Sequence, residues 1–491
     1  MEQFPILSVI VLLPLLSGVV LLFMPSERRV LIYRWAFATG LIELLLSLFV
    51  YISFDIGGER YQFIEKYDWL PDFGISYFLG VDGISAPLLL LTGIVIFTGV
   101  IISQRIDDRP NQFFAFLFIL ATGVFGVFAS IDMFALFFFY EIAVFPMYLL
   151  ISIWGWKETR EYAAMKLTLY LFIGSVIALV GGLAIYFEAG LDTFNMLKLE
   201  QANLSAGFQN LWFPFIFFGF AVLGGIWPFH NWSPDGHVAA PTAVSMFHAG
   251  VLMKLGAFAA LRVGIMLLPI GARTHLPWII VLTLVNVVYG AYIAMVQNDF
   301  KYVIGFSSVS HMGLVVMGFA TLNQDGFVGA GVQMVSHGIM TALFFAVVGM
   351  IYDQAHTRQI SELGGIAKFM PFVTVAFIIG GLVSMGMPGF SGFIAEFPIF
   401  MGVWRSHPWI ALVAVISIVI TAAYVMRIVS GVFFGDLPKE LQGKIHDISI
   451  SEKFALGLMC AVLIGIGLFP SIIVPMVQSG VGHVITLLGG A

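Results

Sequence analysis

The chain has 491 residues, of which 60% are hydrophobic and 10% are charged, with a formal net charge of −6. Soluble domains carry about 25% charged residues, so this composition excludes an ordinary water-soluble globular protein. The sequence also contains neither of the phosphate-binding motifs GxGxxG and GxxxxGK[ST], so nothing in it indicates nucleotide binding.

Apolar runs recur along the whole sequence, each about 20 residues long and able to cross a hydrocarbon core of roughly 30 Å as a helix. They are too continuously apolar for the strands of a membrane barrel. The first run lacks the basic segment and cleavage site of a signal peptide, so we expect it to be retained. We therefore predict an all-α integral membrane protein of about fourteen transmembrane helices. The predicted helices cover residues 5–24, 30–54, 81–103, 111–129, 132–154, 160–187, 209–229, 242–262, 276–297, 301–320, 327–351, 369–404, 408–434 and 454–478.

Two of the predicted spans are interrupted by glycine and proline. The seventh is interrupted near 224–230 and runs into a polar stretch that ends at His237, and the twelfth is interrupted at 386–392. Such residues free backbone carbonyls that neighbours or water must satisfy. Two broken helices five elements apart are typical of two inverted five-helix repeats, although one proline kink and one over-long span are the alternative. The repeat reading divides the chain into an N-terminal three-helix segment, two repeats and a C-terminal loop with the last helix, at 1–110, 111–265, 276–434 and 435–491.

The distribution of Lys and Arg predicts the orientation. Outside the helices, fourteen basic residues fall on the side that holds loops 25–34, 104–110, 155–160, 298–301, 352–368 and 427–453, and six fall on the other side. Because basic residues are enriched in inner loops, both termini are predicted to lie outside, on the periplasmic side of a bacterial cytoplasmic membrane.

Five ionisable residues in five different helices are predicted to lie at similar depth within the bilayer. They are Glu141, Lys254, His311, His337 and Glu396. A charge at the membrane centre costs about 2.5–3.5 kcal/mol on the insertion scale, so intramembrane charges usually have a function. A mixed set of carboxylate, ammonium and imidazole groups is suited to proton conduction, because burial and neighbouring charge can load or unload each site.

Some of these residues have structural alternatives. A buried histidine can be a neutral hydrogen-bond donor, and Glu141 with Lys254 can form a static ion pair. Lys166 is nearer a helix end and can extend its ammonium group to the surface. His230, His237 and His248 have spacings that match no compact metal site. The single cysteine, Cys460, cannot hold an iron–sulfur cluster.

Six segments, in order along the chain, resemble the antiporter-like membrane subunits of respiratory complex I, most of all the subunit M type. The segments are 80–85 (GVDGIS), 140–148 (YEIAVFPMY), 228–237 (PFHNWSPDGH), 249–256 (AGVLMKLG), 301–313 (KYVIGFSSVSHMG) and 386–396 (GMPGFSGFIAE). The resemblance implies proton translocation through the five residues above, with His230 as a further member. Lys166, which lies in none of these segments, is a further candidate because it falls within the sixth helix. It also implies a hetero-oligomer in which flavin and iron–sulfur clusters belong to partner subunits and this chain holds no cofactor.

One departure from the family pattern lies in the seventh helix, where relatives commonly carry a lysine and this chain has Leu223. Lys254, Lys166 or His248 are the candidates to replace it, or the first half-channel is impaired. Two other functions remain open from the sequence. One is a D-type component of a multisubunit Na⁺/H⁺ antiporter, and the other is a membrane subunit that only scaffolds pumping neighbours.

Overall fold

Residues 4–489 are described by a computed structural model in which long α-helices dominate. We number the helices in chain order and give the two halves of an interrupted span one number. They are α1 (Ile6–Leu22), α2 (Arg29–Ser53), α3 (Ser85–Ile102), α4 (Pro110–Ala129), α5 (Met133–Trp154), α6 (Arg160–Ala189), α7a (Ala206–Leu223), α7b (Trp232–Ala239), α8 (Thr242–Ile265), α9 (Pro269–Val296), α10 (Phe300–Ala320), α11 (Gln324–Ala355), α12a (Pro371–Ser384), α12b (Ser391–Ser406), α13 (Pro408–Phe433), α14 (Ile450–Leu468) and α15 (Val474–Leu487).

Within the described part of the chain, twelve helices are long and apolar enough to cross a membrane by length and composition. Adding α1 and the interrupted α12 gives about fourteen spans, so the predicted all-α membrane architecture is confirmed. The predicted last helix, 454–478, is wrong in its extent. The chain turns at Pro470 between α14 and α15, because proline lacks the backbone N–H that a continuing helix requires.

The segment 55–80 is also more ordered than the loop predicted for it. It contains an antiparallel hairpin of β1 (Gln62–Leu70) and β2 (Ile75–Val81). The hairpin is fixed to α1 by Glu65, whose carboxylate accepts from the backbone N–H of Leu7 at 2.7 Å and of Ser8 at 3.0 Å. Contacts between residues so far apart in the chain cannot be read from local hydropathy.

Both predicted helix breaks are present, at residues 224–231 and 385–390. Gly225 and Gly386 have φ values of 70° and 62°, in the left-handed region that a right-handed helix cannot continue through. Neighbouring side chains satisfy the freed backbone groups, as expected. The Val222 carbonyl accepts from the Trp232 indole at 2.9 Å, and the Trp227 N–H donates to Asn286 Oδ1 at 2.6 Å. The inverted repeat and the domain boundaries stay predictions.

The centre of the molecule is formed by α3, α8, α10 and α11. In α8 and α11 the whole hydrophobic span is buried inside the chain, whereas α2 and α13 bury about a third of theirs. The peripheral helices therefore present apolar side chains outward, and the central helices are shielded from the lipid on all sides. A titratable group on a central helix is consequently held inside protein.

The loops divide between two ends of the helix bundle. At one end, called the basic end here, Asn111 donates to the Met24 carbonyl at 3.1 Å and Arg358 pairs with Asp299 at 3.1 Å. This end holds loops 25–34, 104–110, 155–160, 298–301 and 352–368, which the sequence places on one side. The other, called the hairpin end, holds the β-hairpin, the start of α1 and α15. There Leu7 contacts Glu65, and His483 of α15 contacts Glu200.

A charge cluster fastens α15 to the hairpin end. Two guanidinium nitrogens of Arg60 donate to the two carboxylate oxygens of Glu200, each at 2.8 Å, and His483 Nε2 lies 3.1 Å from Glu200 Oε2. Burial alone would raise the pKa of Glu200, but the hydrogen bonds from Arg60 and His483 outweigh burial and lower the pKa from its ordinary 4.5 to about 2. The folded state therefore favours the ionised carboxylate.

Replacing Glu200 with glutamine should destabilise the protein at neutral pH by about 3 kcal/mol, from the size of the pKa shift. A carboxylate whose pKa is lower in the folded than in the unfolded state stabilises the fold at pH values above the unfolded-state pKa. This stabilisation is lost as the pH falls through the folded-state pKa. The stability difference between the parent and Glu200→Gln should thus shrink as pH falls from 4.5 towards 2. Thermal unfolding of both proteins at a series of pH values measures it. A difference that does not change with pH would contradict the assigned role of the ionised carboxylate.

Candidate functional site

Lys254 lies in the middle of the protein, on α8. Its side chain is fully buried, and Nζ donates to the carbonyl of Ala249 on the same helix. The helix is widened into π-helical turns before and after the lysine, at His248–Leu252 and Ala260–Ile265. Such turns occur often at functional sites, because they change the direction of side chains and free backbone carbonyls. No salt bridge to Lys254 exists within residues 4–489, so its charge is not fixed by a permanent partner.

His311, His337 and Glu396 come together on α10, α11 and α12b. His311 Nδ1 lies 2.9 Å from Glu396 Oε1, and its Nε2 lies 3.0 Å from Ser384 Oγ at the end of α12a. The imidazole rings of His311 and His337 have centroids 5.3 Å apart. The amide of Gln333, which no sequence motif singled out, donates to Glu396 Oε1 at 3.1 Å.

Glu396 reaches towards the second helix break. A Cβ atom placed on Gly386 would lie 3.1 Å from Glu396 Oε2, so the carboxylate is close to the irregular backbone of residues 385–390. The interruption thus brings irregular backbone and an acidic side chain together inside a span. This is the arrangement that broken helices provide at ion and proton sites in membrane proteins.

Glycines bring the helix of Lys254 against the helix of His337. A Cβ atom on Gly250 would lie 3.0 Å from the Gly338 carbonyl oxygen, and one on Gly338 would lie 2.6 Å from the Gly250 carbonyl oxygen. Small residues at such a crossing let membrane helices approach closely. The buried lysine of α8 and the buried histidine of α11 are therefore on directly packed helices.

A second imidazole pair is formed by His237 of α7b and His248 of α8. Their ring centroids are 4.0 Å apart, both side chains are fully buried, and His237 Nε2 lies 3.0 Å from Ser233 Oγ. The remaining nitrogen of His237 and both nitrogens of His248 have no hydrogen-bond partner within residues 4–489. The spacing of these histidines in the sequence argues only against a metal site and does not predict that they pair. Their density within one short segment is the signal that could have indicated the pair.

Glu141 does not lie inside the protein. It is exposed on the lateral surface of α5, between the exposed aromatic rings of Phe138 and Phe145. It forms no ion pair with Lys254 among the described residues, so the static ion pair considered from the sequence is wrong. The rotation of α5 about its axis therefore directs this carboxylate outward, away from the core of the chain.

Lys166 and His230 lie near α7b. Lys166 Nζ is 2.7 Å from Asp235 Oδ2, and the hydroxyl of Tyr302 donates to Asp235 Oδ1 at 2.9 Å. Lys166 is therefore held by a carboxylate and does not simply extend to the surface. His230 is mostly buried, with its ring edge against Tyr289 at a centroid distance of 5.4 Å.

Leu223, at the position of the usual lysine, ends α7a beside α8. It is fully buried, and its carbonyl carbon lies 2.9 Å from the place where a Cβ on Gly256 would be. The backbone at Leu223 therefore packs against α8 two residues after Lys254. The buried residues of α8 are thus the local alternatives, and which of them replaces that lysine stays a prediction.

Together these residues form a series of proton-accepting groups through the core of the chain. An imidazole without a fixed partner can accept a proton on one nitrogen and release it from the other. A buried lysine can carry a proton and lose it when neighbouring charge changes. The arrangement is therefore suited to moving protons across the bundle.

Comparison with known proteins identifies relatives along nearly the whole chain. The family described as NADH:quinone oxidoreductase/Mrp antiporter, transmembrane, matches residues 130–421. NAD(P)H-quinone oxidoreductase chain 4 of Gloeobacter violaceus is 36% identical over 96% of this chain and 91% of the relative. NADH-quinone oxidoreductase subunit M of Rhodobacter capsulatus is 35% identical over 98% of this chain and 96% of the relative.

A solved structure has the same fold. A chain in the structure of respiratory complex I from Thermus thermophilus with bound NADH superposes with a TM-score of 0.91, at 25% identity, over 99% of this chain and all of that one. The resemblance inferred from the six motifs is confirmed. This chain belongs to the NADH:quinone oxidoreductase/Mrp antiporter family of membrane subunits.

Proposed function

We propose that this chain translocates protons as a membrane-arm subunit of an NADH:quinone oxidoreductase, or of a close relative with another electron donor. The observation that carries the proposal is the series of buried titratable side chains on packed central helices. It runs from Lys254 on α8 through His337 and His311 to Glu396 at the break in α12. The names of the relatives favour the oxidoreductase over the Na⁺/H⁺ antiporter.

The redox chemistry belongs to other subunits in this proposal. The chain supplies one cysteine, which is buried, and the flavin and iron–sulfur clusters are assigned to partner chains. Energy released there would reach this subunit through contacts within the membrane. The basic end faces the inside of the cell and the hairpin end, with both termini, faces the outside.

Glu141 would be covered by a neighbouring membrane subunit. An ionised or protonated carboxyl group is costly against lipid chains, and here it lies on an apolar surface of α5. Contact with a neighbour would shield it and make its charge responsive to that neighbour. We therefore assign Glu141 to proton transfer between subunits or to their coupling.

Glu141→Gln should remove most proton translocation while leaving the complex assembled, because the amide keeps the shape of the side chain and loses its titration. The measurement is the proton gradient formed by membrane vesicles during quinone reduction. Glu188→Gln, the same change at an exposed position in the last turn of α6, is the matched control and should pump normally. Full pumping by Glu141→Gln would count against this role.

A further inference from the structure

A large cavity opens at the basic end, outside the series of residues described above. Its volume is about 720 Å³, and it lies between the ends of α3, α5 and α11 and the junction of α7b with α8. Its wall includes Arg105, Trp156, Thr242, Lys301, Asp353 and Arg358. The wall is rich in charged and polar side chains, so the cavity is suited to water and small ions.

Lys301, in the first turn of α10, is the buried cation of this wall. Its Nζ donates to the carbonyls of Ala240 at 2.6 Å and Val238 at 3.3 Å, and the residue is 6% exposed. An ammonium group has three donors. Two are bound by carbonyls at the C-terminal end of α7b, which leaves the third for the cavity that Lys301 lines.

No carboxylate forms an ion pair with Lys301 within the described chain, although Asp353 lines the same cavity. Asp299, the nearest acidic residue in sequence, caps α10 by accepting from the Lys301 backbone N–H at 2.8 Å and pairs with Arg358 at 3.1 Å. Arg358 also donates to the Val238 carbonyl at 3.1 Å, so two cations share one acceptor. A guanidinium stays charged at all relevant pH values, whereas an amine can lose its proton.

The contacts of Lys301 lead towards the buried imidazole pair. Ser245 Oγ donates to the carbonyl of His237 at 2.8 Å and lies 3.2 Å from the Ala240 carbonyl, which also binds Lys301. Lys301, Ser245 and the backbone of His237 thus lie close together at the junction of α7b with α8. His248, the partner of His237, precedes Lys254 by less than two helical turns.

We propose that Lys301 is the proton-exchange residue of the basic end, passing protons between water in the cavity and the His237–His248 pair. The inference rests on the proposed function. A proton on Nζ of Lys301 passes by way of intervening water to the free nitrogen of His237, and the neutral amine takes up a proton from the cavity. The route then continues along α8 to Lys254, and Leu223 need not be a titratable residue.

Substitutions at Lys301 separate proton exchange from a purely structural role. Lys301→Met removes both the charge and the hydrogen bonds, whereas Lys301→Arg retains the charge and the donors but does not release a proton. We expect both variants to assemble and to lose proton pumping in vesicles by about tenfold or more. Lys444→Met, at an exposed loop position of the same end, is the control and should pump normally.

Two outcomes would overturn the proposal. If Lys301→Arg pumps as well as the parent, Lys301 only holds the end of α7b in place. If Lys301→Met fails to assemble, Lys301→Gln replaces it in the test, because the glutamine amide keeps two donors for the carbonyls. Normal proton pumping by Lys301→Gln would then exclude proton exchange at this position. Loss of pumping in Lys254→Met with normal pumping in Lys301→Arg would refute this inference alone and leave the proposed function intact.

Chemical labelling tests the cavity independently. The only cysteine, Cys460, is buried, so Thr242→Cys would add a thiol on the cavity wall. A membrane-impermeant, positively charged thiol reagent applied at the basic end should then block proton pumping by this variant. The parent complex treated with the same reagent should pump normally. The same reagent on Thr486→Cys, exposed on α15 at the hairpin end, should have no effect. Unchanged pumping after complete labelling of Thr242→Cys would show that protons do not pass through this cavity.

Discussion

Replacing Lys254 with methionine should stop proton translocation by this chain and leave its helices packed as they are. Lys254 is fully buried between two widened turns of α8, and its ammonium group contacts only a backbone carbonyl. Methionine has a similar length and fills the same space without a titratable group. We expect the rate of proton-coupled quinone reduction to fall by about 100-fold, the usual contribution of a positioned proton donor.

The measurement compares proton pumping in vesicles with electron transfer to a water-soluble acceptor, which reports assembly of the redox subunits. Leu255→Met places the same side chain at the next buried position of α8 and should pump normally. A chain that only scaffolds its neighbours would lose nothing in Lys254→Met. Pumping at full stoichiometry in that variant would therefore refute the proposed function.

Replacing Asp82 with alanine should destabilise the chain by about 3–5 kcal/mol, the cost of leaving a buried charge without its partner. Asp82 Oδ1 lies 2.5 Å from Arg262 Nη2, and both side chains are at most 3% exposed. Ionic contact with Arg262 and hydrogen bonding hold the pKa of Asp82 below its ordinary value, although burial acts in the opposite direction. The same oxygen also accepts from the backbone N–H groups of Ile84 and Ser85, at 3.0 and 2.9 Å, at the start of α3.

The loss of stability is measured by heating the purified complex and recording how much of this chain stays bound in it at each temperature. Combining Asp82→Ala with Arg262→Leu should recover part of it, because the unpaired guanidinium is then removed. Asp325→Ala, which breaks the exposed pair with Arg405, is the matched control and should cost about 0–1 kcal/mol. If Asp82→Ala and Asp325→Ala lowered the stability of the chain by the same amount, burial would not be the cause of the larger loss expected for Asp82→Ala.

The sequence by itself determined the membrane class of the protein, because hydropathy over about 20 residues is a local property of the chain. It also located both helix breaks, since glycine and proline act on the backbone at their own positions. The charged residues at bilayer depth were visible for the same reason. Family membership followed from six short motifs that are contiguous in sequence.

The tertiary structure alone decided how these residues face one another. Glu141 and Lys254 look equivalent in sequence, yet α5 turns Glu141 to the lateral surface and α8 holds Lys254 in the core. The rotation of a helix about its axis is set by packing against its neighbours, and uniformly apolar spans carry little local signal for it. Other contacts likewise join segments that are distant in the chain. They include the pairing of His311 with Glu396, the packing of the β-hairpin against α1, and the hydrogen bonds of Lys301 to the carbonyls of Val238 and Ala240. Hydropathy placed the charges in the membrane, and helix packing decided which of them face one another inside the protein.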